Sequence, residues 1–214
     1  MKIMSFDLDG TVLDSAEAIC ESANHVLRKN NLAELDDSYL KSTIGRPLRE
    51  VFEKVVSEEA SVELLLNEFR QHLAVHSAEK TRVFPGIIES LDFLKSSGFK
   101  IAIATNKGTN LAKQVITSMK IENYFDLVVG QDITKPKPLP DILFYIQKEL
   151  NGKLLAMCGD TVDDIQTAKS AKVPAVAIAS GAHDFEKLKN ANPEFLIADA
   201  THLKTLIHKE FCNV

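Results

Sequence analysis

The chain has 214 residues, 30 acidic against 25 basic side chains, a formal net charge of -5 and 45% hydrophobic residues, which suits one domain, or a core carrying a smaller one, and excludes a disordered chain. Its longest apolar runs, such as 154–158, fall far short of the ~20 residues a membrane span needs, and three scattered cysteines (Cys20, Cys158, Cys212) offer neither a disulfide framework nor a zinc pattern. A mildly acidic chain without basic blocks is expected to work without nucleic acid or membrane, and with no signal-peptide stretch ahead of Asp7 the expected location is cytoplasmic.

Residues 2–7 read as a short strand that stops at Gly10. Asp14 or Ser15 then caps a helix in which Ala16, Ile19, Cys20, Ala23 and Leu27 recur at helical spacing. Residues 39–44 and 47–56 read as shorter helices broken at Gly45, with Pro47 suited to a first turn. Val62, Leu65, Leu66, Phe69 and Leu73 form one stripe of a strong helix over 61–75. From that first helix to about Lys80 no strand is expected, so 15–80 reads as an all-helical unit. After Pro85-Gly86, helices ending near Gly98, around Leu111 to Met119, over 142–150 and around Val162 to Ala168 alternate with strands at 99–104, 127–129, 154–158 and 174–179. A short helix near Lys187, a weak strand at 195–197 and a helix from Thr201 follow. The strands are apolar nearly throughout, as in parallel sheets covered on both faces.

In doubly wound sheets, ligands sit at the carboxyl ends of the strands, where strand order reverses. The first strand closes on Asp7-Leu8-Asp9-Gly10-Thr11 and the second on Thr105-Asn106-Lys107. Lys135-Pro136-Lys137-Pro138 follows the third, and the fourth closes on Gly159-Asp160, with Asp163 and Asp164 just beyond. Clustered carboxylates suit a hard, octahedral Mg²⁺ that keeps several waters, while an ammonium and a hydroxyl can hold a phosphate. Singly, each has a plain structural explanation. Asp and Gly make turns, a strand-end threonine satisfies backbone, a lysine between prolines is solvated loop, and Asp160 or Asp164 can cap the helix near Val162. Together, at successive strand ends, they point to metal-assisted phosphoryl transfer.

The order and wording of these ends resemble the haloacid dehalogenase-like phosphatase superfamily over nearly the whole chain. Asp7-Leu8-Asp9-Gly10-Thr11-Val12-Leu13-Asp14-Ser15 is similar to its first motif, Thr105 to the second, a lysine of the Lys-Pro repeat to the third, and Gly159-Asp160-Thr161-Val162-Asp163-Asp164 to the fourth. Ile44-Gly45-Arg46-Pro47-Leu48, Pro85-Gly86 and Thr105-Asn106-Lys107 resemble the branch of phosphoglycolate phosphatases, pyrophosphatases and β-phosphoglucomutases. The resemblance implies an α/β fold: a doubly wound, Rossmann-like parallel sheet in 1–14 and 81–214 carries the site, and a helical cap domain, 15–80, is inserted after the first strand and sets specificity. It implies a Mg²⁺-dependent phosphatase for a small phosphorylated metabolite, phosphoglycolate-like, acting as a monomer or homodimer. Asp7 is then the nucleophile that forms an aspartyl phosphate, and Asp9 the acid and later the base. Asp7, the Asp9 carbonyl and Asp160 hold the metal with Asp164 in support, and Thr105, Asn106 and Lys137 hold the phosphoryl oxygens. Nearby cation and metal are expected to keep Asp7 ionised.

Lys135 and Lys137 both begin a Lys-Pro-x-Pro run, and only the second run is followed by an aspartate, Asp141, as in the family; this selects Lys137. Family spacing likewise selects Asp164 over Asp163, and Lys172 stands where the family often has glycine in a turn. His72 and His76, with Glu68 on the same helical face, lack an evident third metal ligand and read as a solvated face. Cys158 reads as core packing, and Arg46 and Arg49 read equally as leaving-group contacts or surface charge. A sugar-phosphate mutase, a pyrophosphatase and an idle phosphate-binding protein are the alternatives. A receiver-type phospho-acceptor module is about half as long and has no helical insert, and a dehalogenase needs neither an Asp9-type acid nor Mg²⁺.

Overall fold

A computed structural model describes residues 1–212. Strand β1 (Lys2–Phe6) leads into a tight turn in which Gly10 N donates to Leu13 O at 2.8 Å and Leu13 N to Leu8 O at 2.9 Å. Then come β2 (Leu13–Asp14) and four helices: α1 (Ala16–Lys29), α2 (Asp37–Ser42), α3 (Arg49–Phe52) and α4 (Glu59–Lys80). The chain returns through β3 (Arg82–Val83), which pairs antiparallel with β2, Leu13 opposite Val83. From there helices and strands alternate: α5 (Ile87–Ser96), β4 (Lys100–Ala104), α6 (Thr109–Ser118), β5 (Leu127–Val129), α7 (Asp141–Glu149), β6 (Lys153–Gly159), α8 (Val162–Ser170), β7 (Ala175–Ile178), α9 (Phe185–Asn190), β8 (Phe195–Ile197) and α10 (Leu203–Phe211).

Six of these strands form one parallel sheet in the order β5-β4-β1-β6-β7-β8. The two-residue period of a strand sorts the core onto both faces. Phe6, Ile101, Ile103, Cys158, Val176 and Ile178 face one side, with α5, α6, α10 and the helices between β2 and β3. Ile3, Ala102, Ala104, Met157, Ala175 and Ala177 face the other, with α7, α8 and α9. Strand order reverses at β1, which lies between β4 and β6, so the carboxyl ends of these three strands adjoin. That is the doubly wound sheet the apolar strands predict. Among the described residues no helix is long and apolar enough to cross a membrane.

The departures lie mainly between β1 and α5. Helix α4 runs over Glu59–Lys80 rather than 61–75, and α3 is one short turn within the helix expected over 47–56. The β2–β3 ribbon has no counterpart in the sequence pattern, because a two-residue strand carries no periodicity and exists only through its distant partner. Ser15 precedes α1 but makes no side-chain cap bond; its hydroxyl goes elsewhere.

Candidate active site

Asp7 follows the last residue of β1, and its N–H donates to Cys158 O on β6 at 2.8 Å. This pairing carries its side chain toward the end of β6, where Asp160 follows. Asp7, Asp160 and Asp164 are all buried, and each offers a carboxylate oxygen within 4.8 Å of the other two. Lys137 enters the same group from the loop after β5. Its Nζ lies 2.8 Å from Asp7 Oδ1 and 2.6 Å from Asp164 Oδ1, with the side chain only 1% exposed. Lys135 is exposed, and its ammonium lies 3.9 Å from Asp141 Oδ1.

Local structure fixes each carboxylate. Thr11 Oγ1 donates to Asp160 Oδ1 at 2.6 Å, and Ala182 N to Asp160 Oδ2 at 2.7 Å. A Cβ at Gly10 or Gly181 would strike this carboxylate, so both glycines are needed where the two loops close on it. Asp164 does cap α8, as a structural reading of the sequence allows. Thr161 is the N-cap, and its N–H and hydroxyl donate to Asp164 Oδ2 at 3.0 and 2.6 Å. The other oxygen of Asp164 serves Lys137. Capping and cluster formation are therefore one arrangement.

Asp9 stands apart from this cluster. Ser15 Oγ donates to its Oδ1 at 2.6 Å, and Lys107 Nζ lies 2.6 Å from its Oδ2. Neither partner follows from helix periodicity, although Lys107 lies within the Thr-Asn-Lys motif. Thr105 is buried, and its hydroxyl oxygen accepts from Lys107 N at 3.1 Å. The Asn106 side chain is engaged with backbone: Oδ1 accepts from Lys137 N at 2.8 Å, and Nδ2 donates to Gly45 O at 2.9 Å and Lys137 O at 3.2 Å. Thr11, Ser15, Thr161 and the 180–182 loop are the site's unanticipated supports. A small residue pair, Ser180-Gly181, directly after β7 was the available signal for the last.

Three carboxylates face one ammonium in this buried cluster, so ionising all three would leave two negative charges uncompensated. Burial raises the Asp7 carboxyl to about 7, against the pull of Lys137 and with help from Asp164. Burial, Asp7 and Asp164 together raise Asp160 to about 8. Burial thus opposes ionisation of Asp7 and Lys137 offsets it only in part, so the site calls for further positive charge, which the expectation assigns to the metal. Burial works against the Lys137 ammonium too, but Asp164 and Asp7 outweigh it and hold the lysine above its ordinary range. Asp7 Oδ1 is buried and accepts no aligned hydrogen bond despite its ion pair with Lys137. An all-oxygen donor set with this charge deficit and an open lone pair fits a hard dication such as Mg²⁺.

A cavity of about 260 Å³ opens beside the cluster. Asp7, Asp9, Thr105 and Lys107 line it from the core, and Ile44, Arg46, Leu66, Phe69 and Arg70 from the helical side. Arg49 also reaches this rim but is tied to Glu53 at 3.6 Å, Glu59 at 2.8 Å and Glu63. Arg46 is exposed and, among the described residues, has no carboxylate within 4.0 Å. His72 stacks between His25 and His76, with ring centroids 4.0 and 4.4 Å away. Among the described residues, the Asp7–Asp160–Asp164 group is the one set of three ligands close enough to share a metal, so the histidines form none. Cys158 is fully buried, which pushes its thiol up and makes it a core residue.

Residues 4–178 match the model of the haloacid dehalogenase-like hydrolases. The chain is 32% identical to a phosphoglycolate phosphatase of Aquifex aeolicus, over 97% of each chain. It is also 32% identical to a Dickeya dadantii protein named "Probable phosphatase IndB", over 91% of this chain and 88% of that one. Among solved structures, a predicted phosphatase from Clostridium acetobutylicum superposes with a TM-score of 0.85 at 29% identity, covering 97% of this chain and 98% of the other.

Proposed function

The chain belongs to the haloacid dehalogenase-like hydrolase family and is a phosphatase, and we propose that it hydrolyses a small phosphate monoester in two displacements at Asp7. The observation that carries this reading is the buried Lys137 ammonium held between Asp7 and Asp164 beside Asp160. In the first displacement an Asp7 carboxylate oxygen attacks phosphorus, the bond to the leaving oxygen breaks, and Asp9 gives that oxygen a proton. In the second, Asp9 takes a proton from water, the oxygen of that water attacks phosphorus, and Asp7 leaves with inorganic phosphate released. One group serves both steps because it loses a proton in the first and regains it in the second. Lys137 and the Thr105 hydroxyl hold the phosphoryl oxygens, while Ser15 and Lys107 keep Asp9 aimed into the cavity. Asp7, Asp160 and the Asp9 carbonyl would hold Mg²⁺, with Asp164 in support, and the ion would supply the positive charge that the cluster lacks and that a dianionic ester makes more necessary.

Residues 15–80 act as a cap domain over the site and choose the leaving group, with 1–14 and 81–214 as the catalytic core. Phosphoglycolate is the first candidate substrate, because the Aquifex aeolicus relative bears that activity in its name. Phosphate release from phosphoglycolate, pyrophosphate, nucleoside monophosphates and hexose phosphates, with Mg²⁺ and with EDTA, tests the proposal. Metal-dependent release from at least one monoester, largest for a small acid, is expected. Release only from pyrophosphate, or conversion of β-glucose 1-phosphate to its 6-phosphate without net release, would replace it with one of the two neighbouring activities.

A further inference from the structure

The loop after α2 brings Gly45 across from the helical segment onto the strand ends, where two core side chains meet it. Asn106 Nδ2 donates to Gly45 O at 2.9 Å. On the other side, a Cβ added at Gly45 would lie 2.9 Å from Thr161 Cγ2, and the φ of +92° is one that favours glycine. Both contacts lead to Lys137. Asn106 accepts the Lys137 N–H on Oδ1 at 2.8 Å and donates to Lys137 O at 3.2 Å. Thr161 holds Asp164 through its N–H and hydroxyl, at 3.0 and 2.6 Å, and Asp164 takes the Lys137 ammonium at 2.6 Å. Gly45 thus adjoins two supports, one reaching the main chain of Lys137 and the other its ammonium.

A primary amide has two N–H donors. Both of those on Asn106 go to carbonyls, and the side chain is buried, 5% exposed. No side-chain donor remains for a phosphoryl oxygen. We propose that Asn106 is a positioning residue that latches the Gly45 loop to the Lys137 loop, so that docking of the helical segment sets the lysine on which phosphoryl binding depends. This rests on the role given to Lys137 above. Lifting Gly45 away leaves a buried N–H without its partner, so the docked loop and the placed lysine favour one another.

The test is amide hydrogen exchange at single-residue resolution, without substrate, joined to steady-state kinetics. Gly45→Ala alters neither Asn106 nor Lys137, yet it is expected to speed exchange at the Lys137 amide at least about tenfold. It is also expected to lower kcat about tenfold to a hundredfold, with KM moving less than about threefold. Adding Thr161→Ser removes the methyl that the new Cβ meets and keeps the hydroxyl on Asp164, so it restores part of both. Asn106→Asp keeps an acceptor for the Lys137 N–H but loses both donors, and is expected to free the backbone amides of 43–48 other than Pro47 and, with the latch gone, to speed exchange at Lys137 as well. Wild-type exchange at Lys137 in folded Gly45→Ala, or at 43–48 in Asn106→Asp, overturns the latch. So does an Asn106→Ala enzyme in which exchange at Lys137 and at 43–46 stays wild type while inorganic phosphate binds more weakly, since that marks a direct ligand. Exchange behaving as expected in a protein that hydrolyses no ester would instead sink the catalytic reading and leave the latch standing.

Discussion

The strand ends of the core and the inner face of the helical segment line one cavity, but they are built on opposite principles. On the core side charge is buried and each carboxylate is tied down. Asp160 is held by Thr11 and Ala182 N, Asp164 by Thr161, and Lys137 by two carboxylates. On the helical side the buried wall is apolar, with Ile44, Leu66 and Phe69, the arginines Arg46, Arg49 and Arg70 stand at its rim, and ion pairs such as Lys80 with Glu17 and Glu21 involve exposed side chains. Breaking a buried ion pair costs about 3–5 kcal/mol because a charge is left stranded, whereas an exposed pair is worth about 0–1 kcal/mol. The proposed reactivity therefore rests on a few atoms fixed by backbone, and the proposed choice of substrate on the shape of a wall.

Substitutions should follow this division, and the largest effects belong to the core. Asp7→Asn is expected to lower kcat by at least about 10⁴-fold while near-ultraviolet circular dichroism and the melting temperature stay native. An active, natively folded Asp7→Asn enzyme would end the nucleophile assignment. Lys137→Ala should lose both turnover and stability, since Asp7 and Asp164 are left without their cation, and Lys135→Ala should stay within about twofold of wild type, because its pair with Asp141 is exposed and 3.9 Å long. Equal losses from the two would erase the contrast between buried and exposed lysines.

Smaller changes test the supports of Asp9. Ser15→Ala and Lys107→Met should each reduce kcat about tenfold and leave metal affinity, measured by calorimetry, unchanged, because neither touches the Asp7–Asp160–Asp164 cluster. The smallest effect belongs to the outer face of the helices. Burial, His25 and His76 hold the His72 imidazole below its ordinary value of 6.5. Between that depressed value and 6.5 the unfolded chain binds more protons than the folded one, so stability is full above about 6.5 and falls as pH drops through the window. Thermal melts at pH 7.5 and 5.5 should show this decline, and His72→Gln should make it shallower. An unchanged slope in the variant would assign the decline to other groups.

The same division explains what the sequence reveals. A strand that ends on Asp-x-Asp-Gly-Thr fixes where its side chains go, because the parallel pairing of β1 with β4 and β6 sets backbone positions to within a residue. Four short motifs therefore bring Asp7, Asp160, Asp164 and Lys137 together on paper as they meet in the fold, and the sheet itself follows from apolar strands alternating with helices. The helical segment is read less well. The β2–β3 ribbon depends on a pairing between Leu13 and Val83 that no local pattern announces. Ser15 looks like a helix cap until the turn over 8–13 brings it to Asp9. The side-chain amide of Asn106 reads as a phosphoryl donor until the Gly45 and Lys137 loops fill it. In each case the deciding partner is supplied by tertiary structure rather than by neighbours in sequence.

The central claim is a covalent bond between Asp7 and the phosphoryl group. Acid quenching during turnover of the best ester, reduction with borohydride and peptide mass spectrometry would convert an aspartyl phosphate into homoserine at its position. Homoserine at residue 7, and at no other aspartate, is the predicted result. Rapid phosphate release with residue 7 still aspartate in every quenched sample, from an enzyme whose Asp7→Asn variant keeps its turnover, would contradict it.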